Sequence, residues 1–304
     1  MTITRRAWLA ATAATLAPAV RASTPKPWRQ ASPGRGGAPN APRPRTPPAL
    51  AAGDDAVDRA RLRQVLQRFV AAGGGMIDSS PMYGSAERVV GDLLAEVTPR
   101  GDAARRVFAA SKIWTPFGPG GRAQLDDSLR LWRRDRFDLM QVHNLLGTEA
   151  HLRTLRAARD AGRVRYVGIT TSHGRRHDEV ERLLRRERLD FVQLTYNPAD
   201  RSAEPLLDLA ASRGVAVIVN RPFDGGDTLR RLAGRPLPDW ARAELGVDTW
   251  AAFVLKWELS HPAVTCAIPA TGNPVHLDQN MAALHGARPD AAQRRRMTEV
   301  LARP

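Results

Sequence analysis

From Asp54 onward the chain alternates between segments whose apolar residues recur every three or four positions and short runs rich in β-branched and aromatic residues. No other feature constrains the fold as tightly. A helix placed between two strands returns the chain to the start of the sheet, so this rhythm predicts an α/β fold with crossover helices packed on parallel strands. Over residues 54–74 the helical period puts Val57, Leu62, Val65, Leu66 and Phe69 on one apolar stripe, and the segment ends in glycines. Strands are predicted at 75–80, 106–113, 137–144, 164–171, 190–197, 214–221 and 263–270, and every interval between them carries a helical pattern. Seven strands are one fewer than a closed (β/α)8 TIM barrel requires.

A doubly wound open sheet has the same alternation. The placement of polar residues separates the two. Asp78, Lys112, His143, Thr170, Gln193 and Asn220 fall at or just past the C-terminal ends of successive strands. A barrel gathers such positions around one mouth, where its chemistry resides, whereas an open sheet spreads them in a line.

At 304 residues and 43% hydrophobic composition, the chain can bury the core of one large α/β domain or two small ones. The net charge of +15 suggests nucleic acid until its distribution is read. Residues 1–50 hold eight basic and no acidic residues, leaving 38 basic against 31 acidic in the remaining 254. That body mixes both signs and has no basic stripe interleaved with aromatics, so no nucleic-acid partner is expected. Lysine occurs only three times, at Lys26, Lys112 and Lys256. The single cysteine, Cys266, reads as a buried structural thiol, and no metal site is expected.

The first fifty residues have a different character. Residues 1–22 carry a charged start with Arg5 and Arg6, a mildly apolar run from Ala7 to Ala19, and small residues near Ala22. They resemble a twin-arginine export signal, too short for a stable membrane span. The expectation is an exported, periplasmic protein delivered folded by the export machinery, or a cytoplasmic one if the signal does not function. Residues 23–50, rich in Pro, Arg and Gly, read as an unstructured linker, and their abrupt composition suggests GC-rich coding text in a shifted frame. Residues 51–304 form the predicted barrel domain.

Residues 73–96 resemble the signature of the aldo-keto reductase family, in which a strand-end Asp is followed five residues later by Tyr-Gly and an amphipathic helix. Asp78, Tyr83 and Gly84 match it. The family's catalytic Lys ends the next strand, here Lys112, and its His ends the one after, here His143. The resemblance extends from about Leu62 to Asn280 and implies a (β/α)8 barrel that reduces a small carbonyl substrate with a nicotinamide cofactor. Hydride transfer to a carbonyl builds negative charge on oxygen, which calls for a proton donor within hydrogen-bond reach. Tyr83 is that expected donor. Lys112 is expected to lower the phenol's pKa, Asp78 to pair with Lys112, and His143 to orient the carbonyl.

For the cofactor, Gln193 matches the residue that holds the nicotinamide carboxamide, and Thr170 and Thr171 stand where many members have Ser-Asn. Asn220 opens the segment Asn220-Arg221-Pro222-Phe223, where many members have Tyr-Ser-Pro-Leu; the stacking aromatic is lost. Residues 268–280 resemble the family's adenosine-phosphate segment. A helix over Asn273–Asn280 is expected to turn its N-terminus to phosphate, with Thr271, Gln279 and Asn280 fitting the pattern. Ala270 and His276 sit where Lys and Arg often hold a 2′-phosphate, so NADPH is the family expectation with NADH as the alternative.

The family's first strand, due between residues 30 and 55, is not recognisable. Two other readings therefore stand beside the enzyme: a non-catalytic exported barrel that binds a partner, and a lyase or isomerase using Lys112 as a Schiff-base nucleophile. Trp114, Phe117, Phe223 and Trp240 are candidates to line the substrate pocket. The short C-terminal segment suggests a wide mouth, and the protein is expected to be monomeric.

Overall fold

The computed structural model describes residues 56–97 and 107–302. The expected signal, the linker and the site of the missing first strand lie outside the described residues. Helix α1 (Ala56–Ala71) leads into β1 (Met76–Asp78). Then follow α2 (Ala86–Val97), β2 (Phe108–Ile113), α3 (Gly118–Leu131), β3 (Phe137–His143), α4 (Thr148–Asp160) and β4 (Val164–Thr170). The second half continues with α5 (His177–Arg186), β5 (Phe191–Thr195), α6 (Glu204–Ser212) and β6 (Ala216–Asn220). The last crossover holds α7 (Asp227–Leu232), α8 (Asp239–Leu245) and α9 (Trp250–Leu259) before β7 (Val264–Ala267), α10 (Pro274–Ala282) and α11 (Ala291–Ala302).

All seven strands pair in parallel and in sequence order, β1 to β7. This order rules out the doubly wound alternative, whose strand order must reverse at a switch point. The sheet curls instead. Met76 of β1, Phe108 of β2, Leu139 of β3, Tyr166 of β4, Phe191 of β5 and Cys266 of β7 all meet in one interior cluster. Phe108, Tyr166 and Phe191 pack with ring centroids 5.6–6.2 Å apart near the strand starts, plugging that end and leaving the strand ends for polar groups. Cys266 is fully buried there, as expected of a structural thiol.

Among the described residues β7 and β1 are not paired. Their flanking helices nevertheless meet: α1 packs on α10, and Arg68 forms an ion pair with Asp278 across the seam. Leu62, Val65, Leu66 and Phe69 of α1 are buried as the helical period requires, each side chain contributing roughly 1.5–3 kcal/mol relative to exposure. Val57 is not; it is 77% exposed. Five residues before Leu62 is a rotation of about 140° from it, which takes Val57 off the stripe. Gly73, at φ 73°, ends α1 in the left-handed region that side-chain-bearing residues avoid.

Candidate active site

The site is built at the C-terminal ends of β1, β2 and β3. In β2, Phe108 and Ala110 face the interior cluster, so Lys112, with the same parity, also points inward. Its position is level with Gln141 of β3, two residues above the Asp78–Ala110 pair, and its long side chain reaches back to β1. There the fully buried ammonium donates to Asp78 Oδ2 and to the Ser79 carbonyl at 2.8 Å. Asp78 also accepts from Gln141 Nε2 (3.1 Å) and Gln193 Nε2 (3.3 Å). A buried carboxylate with this many donors is well compensated.

Tyr83 arrives by a short detour. After β1, Ser80 in extended conformation begins a 3₁₀ turn over Pro81–Tyr83, accepting from the Met82 N–H at 3.2 Å on its side chain and from the Tyr83 N–H at 2.9 Å on its carbonyl. Gly84, at φ 62° and ψ −122°, then swings the chain into α2, and this backbone conformation is why the position takes glycine. The turn sets the half-buried Tyr83 ring with Lys112 Nζ 5.2 Å from its centroid and the His143 ring edge-on at 5.8 Å. The four groups expected from the sequence therefore occupy one corner of the mouth.

Their electrostatics differ from expectation in one respect. Burial raises the Tyr83 phenol above its usual range and outweighs the opposing pull of the Lys112 ammonium. The phenol is held as an acid with its proton, not brought toward ionisation. Lys112 also stays charged: burial works against its proton, but Asp78, Tyr83 and Glu87 together outweigh it and raise the pKa. His143 is pushed well below the usual imidazole range by burial and then by Lys112, so it is neutral at physiological pH.

Thr170, Thr171, Gln193 and Asn220 form a buried arc beside this corner. Gln193 Oε1 accepts from Thr170 Oγ1 at 3.1 Å and from Asn220 Nδ2 at 3.4 Å, and Asn220 Nδ2 also donates to the Thr171 carbonyl at 2.8 Å. Gln193 thus links the arc to Asp78. The other four expected cofactor residues lie after β7. Thr271 Oγ1 accepts from the Asn273 N–H (3.1 Å), and Asn273 caps α10 by accepting from Val275 N–H (2.9 Å). Along α10, His276 is exposed, Gln279 half-buried and Asn280 buried.

Three residues of the site escaped the sequence reading. Gln141, on Asp78, sits two residues before His143 on the same strand face, a polar parity that was legible. Glu87 is a buried acid on the apolar stripe of α2, accepting from Ser111 Oγ (2.6 Å), Ser128 Oγ (3.0 Å) and Trp132 Nε1 (3.1 Å) behind Lys112. Ser80, whose Oγ lies 2.9 Å from His143 Nδ1, had no sequence signal because strand register creates the contact. Of the pocket candidates, Trp114 and Phe117 are 41% and 72% exposed on the loop after β2; Met82, after β1, is also exposed. Phe223 is half-buried against the outer core, and Trp240 packs edge-on to Phe253 at 5.8 Å, within the helix layer.

A family model described as Aldo/keto reductase family matches residues 49–302. Pyridoxine 4-dehydrogenase of Escherichia coli (strain K12) is 29% identical over 239 residues, 72% of this chain and 79% of that protein. Among solved structures, the holo form of an aldo-keto reductase from Bacillus halodurans superposes with a TM-score of 0.67 at 22% identity, covering 84% of this chain and 90% of that one. A Bombyx mori aldo-keto reductase in complex with NADP gives a TM-score of 0.68 at 21% identity over 94% and 93% of the two chains. The match spans the described fold and the whole corner built by Asp78, Tyr83, Lys112 and His143, and the chain belongs to the aldo/keto reductase family.

Proposed function

We propose that the protein is an NAD(P)H-dependent oxidoreductase that reduces an aldehyde or ketone to an alcohol at the mouth of a (β/α)8-type barrel. The observation that carries this reading is the preassembled corner: a protonated phenol, a charged lysine bound to a carboxylate, and a neutral imidazole within one contact shell. Tyr83 delivers the proton to the carbonyl oxygen, and its raised pKa suits a donor that must remain protonated until charge develops. Lys112 stabilises the phenolate left behind, and Asp78 holds Lys112 charged. His143 donates a hydrogen bond that orients the carbonyl.

A bound nicotinamide supplies the hydride. The residues present fit such a group. Thr170, Gln193 and Asn220 offer a carboxamide both donors and acceptors, and the 3.3 Å contact of Gln193 to Asp78 is a weak one to exchange. At the end of β6, Arg221 keeps a buried Nε–H without a partner next to Asn220, a donor suited to a phosphate oxygen. The capped start of α10, with Thr271 before it and Gln279 and Asn280 along it, suits the adenosine phosphate, and the relatives solved with NADP favour NADPH over NADH. The exposed apolar side chains of Met82, Trp114 and Phe117 favour substrates with an apolar or aromatic body.

The Schiff-base reading fares worse, because Lys112 is fully buried and its ammonium is engaged by Asp78 and the Ser79 carbonyl. A purely binding role leaves the buried charged corner unexplained. The test is titration with NADPH and NADH followed by an aldehyde panel: Tyr83→Phe should retain cofactor binding and lose reduction. Equal turnover in that variant sinks the proposal. Export through a twin-arginine signal at Arg5 and Arg6, and a monomeric state, complete the reading. Cell fractionation with Arg5 and Arg6 changed to Lys, and light scattering, check them. No helix among the described residues is long and apolar enough to cross a membrane.

A further inference from the structure

Ser80 is fully buried and does two jobs with one hydroxyl. Its oxygen accepts the Met82 N–H that starts the turn carrying Tyr83, and it lies 2.9 Å from His143 Nδ1. A serine hydroxyl has a single hydrogen. The backbone N–H can only donate, so it takes one of the oxygen's two lone pairs. Among the described residues His143 Nδ1 is the one acceptor within reach of the hydroxyl hydrogen, so that hydrogen is satisfied only when it goes to Nδ1. An imidazole nitrogen that accepts a hydrogen bond carries no proton, and a neutral ring must then carry its proton on Nε2.

We infer that Ser80 is a positioning residue that fixes His143 in its Nε2–H tautomer and ties that choice to the turn presenting Tyr83. Burial and the Lys112 ammonium keep the ring neutral, so the tautomer is the only variable left. Its effect on a carbonyl is one of sign. The Nε2–H tautomer offers a hydrogen to an oxygen that gains negative charge, while the opposite tautomer with that hydrogen on Nδ1 leaves a lone pair at Nε2 and repels it. The same hydroxyl holds the turn of the proton donor, so the two groups that meet the carbonyl oxygen share one anchor. The inference rests on the carbonyl-reductase reading for its purpose, but not for its measurement.

The test is ¹⁵N NMR of the ring nitrogens in the cofactor-free protein. The chain has seven histidines, and comparison with His143→Gln assigns the signal. At neutral pH the wild type should show Nδ1 unprotonated and Nε2 protonated as one tautomer, Ser80→Ala should show a mixture, and Ser80→Thr should restore the single form. Carbonyl reduction should fall about tenfold in Ser80→Ala, the size of one lost hydrogen bond, chiefly in kcat, and recover in Ser80→Thr. A wild-type proton on Nδ1, or an unchanged single tautomer in Ser80→Ala, overturns the inference. If Ser80→Ala does not fold, the wild-type spectrum decides alone. Absence of carbonyl reduction in the wild type would defeat the functional reading and leave the tautomer result standing.

Discussion

The only two lysines among the described residues are both buried, and they live in opposite circumstances. Lys112, at the end of β2, is paired with a carboxylate on the neighbouring strand β1, and its pKa rises despite complete burial. Lys256, in α9, donates to two backbone carbonyls, of His285 (2.6 Å) and Ala287 (2.7 Å), and burial lowers its pKa to about 8. Hydrogen bonds to carbonyls leave a buried ammonium easier to discharge, whereas a counter-ion holds its proton more firmly. The nearest acid in sequence to Lys256, Glu258, gives no help because side chains two apart on a helix point to different faces. Glu258 is instead fully buried with neither oxygen hydrogen-bonded, and burial pushes its carboxyl well above the usual range.

The comparison breaks most visibly if each lysine is removed. Lys112→Met should cut carbonyl reduction by at least about a thousandfold and destabilise the protein by about 3–5 kcal/mol, because Asp78 is left as an uncompensated buried charge. Steady-state rates and urea unfolding measure both; an active or undisturbed variant would show that the pair is not what holds the corner.

Glu258→Leu should do the reverse and stabilise by about 1–3 kcal/mol at neutral pH. A carboxyl whose pKa is raised on folding gives its full contribution below the unfolded value near 4.5 and loses it as pH rises toward the folded pKa, so at neutral pH the folded state is the worse off. Thermal unfolding across pH should therefore show a gain that fades in acid.

Glu87→Gln should cost less, about 1 kcal/mol, since the amide oxygen still accepts from Ser111 and Trp132. It should also lower the alkaline limit of the reaction by removing a negative charge that helps hold Lys112 protonated, which a pH–rate profile detects. The smallest effect belongs to Lys256→Met, with turnover within about twofold because the residue lies outside the site. Its signature is in linkage: a lysine with a depressed folded pKa makes stability rise with pH between about 8 and 10.5, as the unfolded chain holds more protons there. The variant should flatten that slope in unfolding measurements.

The sequence made the seven strands, their helices and the corner residues legible because period and strand-end polarity are local properties. The Asp78–Lys112 pair, foreseen from charge, lies where parity places it. Register was not legible. Ser80, Gln141 and Glu87 act through partners dozens of positions away, brought together by the offsets of β1 on β2 and β2 on β3 and, for Glu87, by the packing of α2 on α3. Gln193, assigned to the carboxamide by family likeness, also reaches Asp78 across 115 positions, a contact that no spacing rule encodes. The pull of Lys112 on the Tyr83 phenol was legible and is present, but the depth of burial that outweighs it was not.

The seam between α1 and α10 sets an order in time. Arg68 and Asp278 are 210 positions apart, so α1 emerges from the ribosome long before the surface that covers it. Closing so long a loop is slow, and until then α1 has its early neighbour α2 to pack on but not α10. A nascent chain that stops short of α10 has all seven described strands and still lacks the helix that meets α1. The seam is thus completed after the interior, since the last member of the interior cluster, Ile268, precedes α10.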